Sequence, residues 1–200
     1  MSTAAPTQPQ TAAPIALPGG PVLYRLTVDE YERIGAMLDD PRVELIDGCL
    51  VKKMPKKPEH KWATKKALEA LDALLPPGWT SQKEEAMRIS TYDEPEPDIG
   101  IVRGSDDDWK HRNPGPADVA LLVEVSDSTL AEDRKMAERF ARAGIPVYWI
   151  INLVDGQVDV FSNPGPSGYG SFDVLAPPHV LRVVIDAVEV GEIPVADVLP

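Results

Sequence analysis

Two acidic residues carry most of the chemistry on offer in this sequence. Asp98 ends the proline-rich stretch EPEPD, and Glu124 interrupts the apolar run VALLVEVS. That run reads as a strand buried on both faces. A lone ionised carboxylate there costs several kcal/mol unless a cation or hydrogen-bond donors meet it. Glu124 also stands at the C-terminal end of the strand, where open α/β sheets bind ligands. Two carboxylates at the ends of neighbouring strands form an oxygen-rich site suited to magnesium or manganese. A metal held there would lower the pKa of a bound water and stabilise charge on a phosphoryl oxygen. The chemistry this points to is phosphoester hydrolysis. A lysine nearby would hold the attacking water or stabilise the developing charge, and Lys135, on the helix after the strand, is the candidate. Ordinary structural ion pairing is the alternative for the same residues. Without a cation the carboxylates repel, and at least one is expected to have a raised pKa.

Two more residues stand near this pair in the pattern. Glu44 lies in a short strand before Asp47-Gly48 and is either an exposed strand residue or a third carboxylate aimed at the site. His60 falls in the first turn of a helix, where a lone histidine is more often a surface or capping residue than a ligand. Other chemistries lack their motifs. There is no GxSxG elbow for Ser126, no GxGxxG and no P-loop. One cysteine and three histidines do not suit a structural zinc site.

The elements that must position these residues are legible in outline. Thr27 and Glu30 form a capping-box pattern for a short helix through Leu38. RVELIDGCLVKKM reads as a hairpin around Asp47-Gly48, with Glu44 facing Val51 across it. Apolar residues at helical spacing predict a helix from Pro58 to Leu75, stopped by Pro76-Pro77-Gly78. Strands are expected near Thr80–Gln82, Met87–Ile89 and Ile99–Val102, the last entered through extended proline backbone. Gly104 to Pro116 reads as a polar loop with one helical turn. VALLVEVS, a helix of about 13 residues ending at Gly144, and VYWIINLV make a βαβ crossover with parallel strands. Beyond it, strands are expected at Gln157–Phe161, Asp173–Leu175, Val180–Val184 and Val188–Val190, a loop at Gly165–Gly170 and a short closing helix at Ile193–Leu199.

Composition bounds the rest. The 200 residues suit one domain, 22–200, behind a disordered Ala/Pro-rich tail, 1–21, that holds five prolines. The single cysteine, Cys49, excludes an internal disulfide framework. No apolar run is long enough to span a membrane, and no secretory pattern opens the chain, so a cytoplasmic protein is expected. The net charge of −12 argues against a general polyanion coat. It is unevenly spread, however. Between Leu50 and Lys66 lie Lys52, Lys53, Lys56, Lys57, Lys61, Lys65 and Lys66 against Glu59 alone, a local +6. That run is either a solvated face or a ridge for a phosphate backbone beside an acidic site.

The stretches VELIDGCLVKKMP, PEHK, EPDIGIV, LLVEVSDSTLAEDRK and FARAGIPVYWIIN together resemble the Uma-type family, restriction-endonuclease-like members of the PD-(D/E)XK nuclease superfamily. The likeness runs from about Leu26 to Leu199. It implies an α/β fold of mixed α+β type, a restriction-endonuclease-like core with a central mixed β-sheet flanked by helices. It also implies a divalent metal, Mg2+ or Mn2+, held by Asp98 and Glu124. By the same match Glu44 is the upstream acidic residue and His60 the histidine of the PEH motif. The usual (D/E)-x-K ends in Ser126 here, and the lysine stands on the next helix as Lys135, five residues before Phe140. The expected activity is metal-dependent endonucleolytic hydrolysis of nucleic acid, DNA in the first instance, with Lys52, Lys53, Lys56, Lys57, Lys61 and Lys65 on the backbone. Cutting both strands would favour a homodimer. The rival expectation is an inactive module that keeps the fold and binds nucleic acid or protein.

Overall fold

The computed structural model describes residues 15–16, 22–35, 37–38 and 42–200. The expected tail, 1–21, lies outside the described residues except for Ile15–Ala16. That pair (β1) forms a two-residue antiparallel ladder with Val22–Leu23 (β2). The first helix, α1, spans Val28–Gly35. Its capping box forms as the sequence predicts: Thr27 N donates to Glu30 Oε2 at 2.8 Å, and Glu30 N donates to Thr27 Oγ1 at 3.3 Å.

Val43–Ile46 (β3) and Cys49–Lys52 (β4) close the predicted hairpin, with Glu44 opposite Val51. Asp47 and Gly48 both take positive φ, 54° and 72°, as a tight two-residue hairpin turn requires. Gly48 is irreplaceable on a second count. A Cβ there would lie 2.6 Å from Arg25 Cβ and 3.1 Å from Leu26 O. Helix α2 then runs Pro58–Asp72, with proline in its first turn.

Trp79–Lys83 (β5), Ile99–Arg103 (β6), Val119–Ser126 (β7), Val147–Asn152 (β8), Gln157–Gly165 (β9) and Gly168–Leu175 (β10) build one six-stranded mixed sheet. Its order is β10-β9-β8-β7-β6-β5, parallel only between β7 and β8. Helix α3, Leu130–Ala143, makes the β7–β8 crossover and stops at Gly144, whose φ is 87°. Val180–Ile185 (β11) and Val188–Pro194 (β12) form a separate hairpin, followed by a 3-10 turn at Val195–Asp197 in place of the expected closing helix.

The sheet is covered on both faces, which explains the unbroken apolar run of β7. On one face Ala63, Ala67 and Leu71 of α2 pack with Ile99, Leu121 and Trp149, and β11–β12 adds Leu181 and Ile193. On the other, Ala137 and Phe140 of α3 pack with Leu122, Tyr148 and Ile150. Fully burying each large side chain contributes about 1.5–3 kcal/mol.

Three further expectations fail locally. Met87–Ile89 is not a strand, because both edges of β6 are already taken by β5 and β7. Its amides instead go to neighbouring loops, Met87 N to Pro95 O and Ile89 N to Asp93 O. The Gly165–Gly170 segment is not an open loop. Gly165 and Gly168 pair directly, so only Pro166 and Ser167 turn, and Phe161, Tyr169 and Phe172 pack ring against ring beside them. The polar loop after Gly104 carries two 3-10 turns, Asp106–Trp109 and Pro116–Asp118, instead of one helical turn.

Candidate active site

Because β6 and β7 are antiparallel, the start of one meets the end of the other: Ile99 pairs with Val123. Asp98 and Glu124 are thereby brought together. The Asp98 amide donates to Glu124 Oε2 at 3.2 Å, and the Val125 amide donates to Asp98 Oδ2 at 2.7 Å. Asp98 is 3% exposed. Oδ2 also lies 3.1 Å from His60 Nε2, and Oδ1 takes the Lys56 ammonium. Burial pushes the Asp98 carboxyl upward, but His60 and Lys56 outweigh it and hold its pKa at about 2.

Glu124 has the opposite balance. Burial first, then repulsion from Asp98 and Asp133, pushes it well above the ordinary carboxylate range, with Lys53 opposing weakly. Glu44 shares the direction for the same leading reason. Its burial outweighs the hydrogen bond that the Glu96 amide donates to Glu44 Oε2 at 3.0 Å. One member of a carboxylate cluster is therefore charged and two are disfavoured as anions, because the groups that outweigh burial sit on Asp98 alone.

Glu44, Asp98 and Glu124 line one cleft of about 660 Å³ with His60, Lys53 and Lys56. Lys135, Met136 and Arg139 of α3 form another part of its wall, so Lys135 faces the cleft. It is exposed, and among the described residues it makes no ion pair with a carboxylate. Asp133, nearly two turns from Arg139 towards the start of α3, also lines the cleft. Burial raises its pKa to about 6 against the hydrogen bond that Thr129 Oγ1 donates at 2.7 Å.

His60 is buried, unlike the surface residue that a helix start usually holds. Its Nδ1 lies 3.3 Å from Thr64 Oγ1, which in turn donates to the His60 carbonyl at 2.9 Å. One ring edge is thus fixed by its own helix and the other meets Asp98.

The basic ridge is less free than its composition suggests. Lys53 Nζ donates to Glu96 O at 2.6 Å, Lys57 pairs with Asp127 at 3.3 Å, and Lys65 and Lys66 both pair with Glu69. Lys61 is exposed. The largest departure from the sequence reading is Lys56. Grouped there with the backbone-binding lysines, it sits directly on Asp98. Contacts across 42 residues leave no periodic or motif signal, so pattern reading could not reveal it. Asp133 was likewise missed; its place one turn into the crossover helix was the available hint.

The donor set suits a hard divalent cation: the candidate ligands are carboxylate oxygens, and burial disfavours the anionic forms of Glu124 and Glu44. Among the described residues no group of three His, Cys, Asp or Glu side chains is arranged as a cation site. As placed, the Asp98 oxygens are engaged by Lys56, His60 and the Val125 amide.

A six-stranded mixed sheet with helices on both faces, and paired acids where β6 meets β7, defines a nuclease-like α+β fold. A family model described as "Uma2: Putative restriction endonuclease" matches residues 28–190, and the chain belongs to that family. Among solved structures, a chain described as a "putative nuclease belonging to DUF820" from Anabaena variabilis ATCC 29413 has the same fold. It superposes with a TM-score of 0.65 at 14% identity, covering 86% of this chain and 97% of that one. No curated protein matches.

Proposed function

We propose that this protein is a metal-dependent endonuclease that hydrolyses phosphodiester bonds of nucleic acid, with DNA the favoured substrate. The observation that carries this reading is the meeting of Asp98, Glu124 and Glu44 in one cleft with His60, Lys56 and Lys135. Membership of the Uma2 family supports it. Residues 22–200 act as a single domain in this reading, with 1–21 as an appended tail. Asp98 and Glu124 would hold Mg2+ or Mn2+, and Glu44 would complete the acidic face. The bound ion supplies a water of lowered pKa and charge stabilisation on the phosphoryl oxygen.

The chain's own residues do the positioning. His60 Nε2 and the Val125 amide fix Asp98 Oδ2, so the carboxylate presents Oδ1 in one orientation. Lys135, with no carboxylate partner among the described residues, is free to meet a phosphate oxygen from the α3 side. The other lysines of 52–66 engage the flanking backbone, Lys53, Lys57, Lys65 and Lys66 by exchanging their present carboxylate partners for phosphates. No helix among the described residues is long and apolar enough to cross a membrane. Cleavage of both strands would use two copies of the site, hence a homodimer.

The test is cleavage of end-labelled duplex DNA and of RNA with Mg2+ or Mn2+. Wild type is expected to cut, and Asp98→Ala to lose at least about 100-fold, the scale of one lost electrostatic group in an active site. Equal cleavage by both would exclude the site.

One observation favours a second reading, an inactive binding module with the nuclease fold: the chain's own Lys56 ammonium already occupies Asp98, with His60 Nε2 beside it. That reading predicts binding of nucleic acid without turnover and no response to either metal.

A further inference from the structure

The two oxygens of Asp98 are not equivalent. Oδ2 accepts from the Val125 amide at 2.7 Å and faces His60 Nε2 at 3.1 Å. Oδ1 meets only Lys56 Nζ among the described residues. The same ammonium lies 3.3 Å from Glu84 Oε1. Lys56 is thus shared between a buried carboxylate and a half-exposed one, and the two acceptors are already within reach of one nitrogen. Passing from one to the other needs side-chain rotation alone.

Glu84 is built to receive it. It follows β5 with φ of 56°, a left-handed conformation that a glutamate adopts only where its surroundings hold it. Its amide donates to Asp98 O at 3.3 Å, tying its backbone to the residue whose side chain Lys56 occupies. The backbone that carries Lys56 is held on both sides, because Lys53 is pinned to the Glu96 carbonyl three residues before it and Pro58 opens α2 two residues on, so only the side chain has to move.

We propose that Lys56 is an exchangeable internal cation: it neutralises Asp98 when no metal is bound, and it moves wholly to Glu84 when a divalent ion takes Asp98 Oδ1. This rests on the metal reading given above. Lys56 then sets the metal affinity by competition, and Glu84 is a positioning residue that lowers the cost of displacing it. A lysine is suited to this use, being a compact charge on a flexible stem.

Mn2+ affinity measured by calorimetry on the full chain tests this, with folding of each variant checked by thermal melting. Lys56→Met is expected to bind Mn2+ about tenfold tighter than wild type and Glu84→Gln about fivefold weaker, within the usual range of coupling between two ligands. Lys56→Arg should restore the competition. A simple change in local charge would give the same signs, so the double variant decides. If Glu84 acts through Lys56, Glu84→Gln has no effect in the Lys56→Met background. A full Glu84→Gln effect there, or unchanged affinity in Lys56→Met, overturns the exchange while leaving the metal site standing. No binding by either wild type or Lys56→Met overturns the metal reading and the exchange together.

Discussion

At Asp98 three donors meet one carboxylate; at Glu124 a backbone amide is the donor and the neighbouring charges are mostly repulsive. Burial costs both groups, but only Asp98 has the Lys56 ammonium and the His60 ring close enough to reverse the sign. That asymmetry is what an acidic pair looks like with its counter-ions all on one member. Asp133 shows the same physics a little further out and gives a pH prediction. Its folded pKa of about 6 lies above the ordinary 3.8, so its protonated form is the one folding favours. The associated stability is fully present below about pH 4 and lost as pH rises through about 6. Asp133→Asn is therefore expected to raise Tm by about 2–8 °C at pH 7.5 and by clearly less at pH 4.5. An equal shift at both pH values would show that burial of the charge is not the cause. The sequence made Asp98, Glu124 and Glu44 visible because an acid inside or beside an apolar strand demands an explanation. The partners of these acids were invisible, since His60 and Lys56 reach Asp98 from elements whose packing no local pattern encodes.

The elements that hold these residues differ in how strongly the chain specifies them. The β7–α3–β8 crossover is overdetermined: an apolar strand, a glycine stop at Gly144 and an immediate second strand agree with one another. The β3–β4 hairpin, which carries Glu44, rests on two turn residues. Gly48→Ala meets both the positive φ and the Arg25–Leu26 backbone. It is expected to cost about 1–3 kcal/mol in a denaturant melt and to lower Mn2+ affinity by shifting Glu44. A variant as stable as wild type would show that the turn relaxes. The misread elements have a common origin. Met87–Ile89 has the composition of a strand but no free sheet edge to join, and Gly165–Gly170 has the composition of a loop but flanks an aromatic cluster. In each case tertiary context overrode local preference.

Across the whole molecule, a net charge of −12 coexists with a lysine-rich segment beside the acidic cleft. Most of those lysines are already paired with Glu or Asp, so binding a phosphate backbone is an exchange of partners. The β7–α3–β8 crossover was legible from the sequence because burial on two faces leaves an unbroken apolar run, whereas the mixed sheet with its helical cover came from the family resemblance. The ion-pair map over the cleft was not. The central claim, that these acids gather to hold a divalent cation, is tested most directly by Mn2+ calorimetry on wild type and Asp98→Ala. Binding to wild type that disappears in Asp98→Ala, with both proteins folded, is the predicted result. Indistinguishable isotherms for the two, or no Mn2+ uptake by folded wild type and by folded Lys56→Met alike, would contradict it.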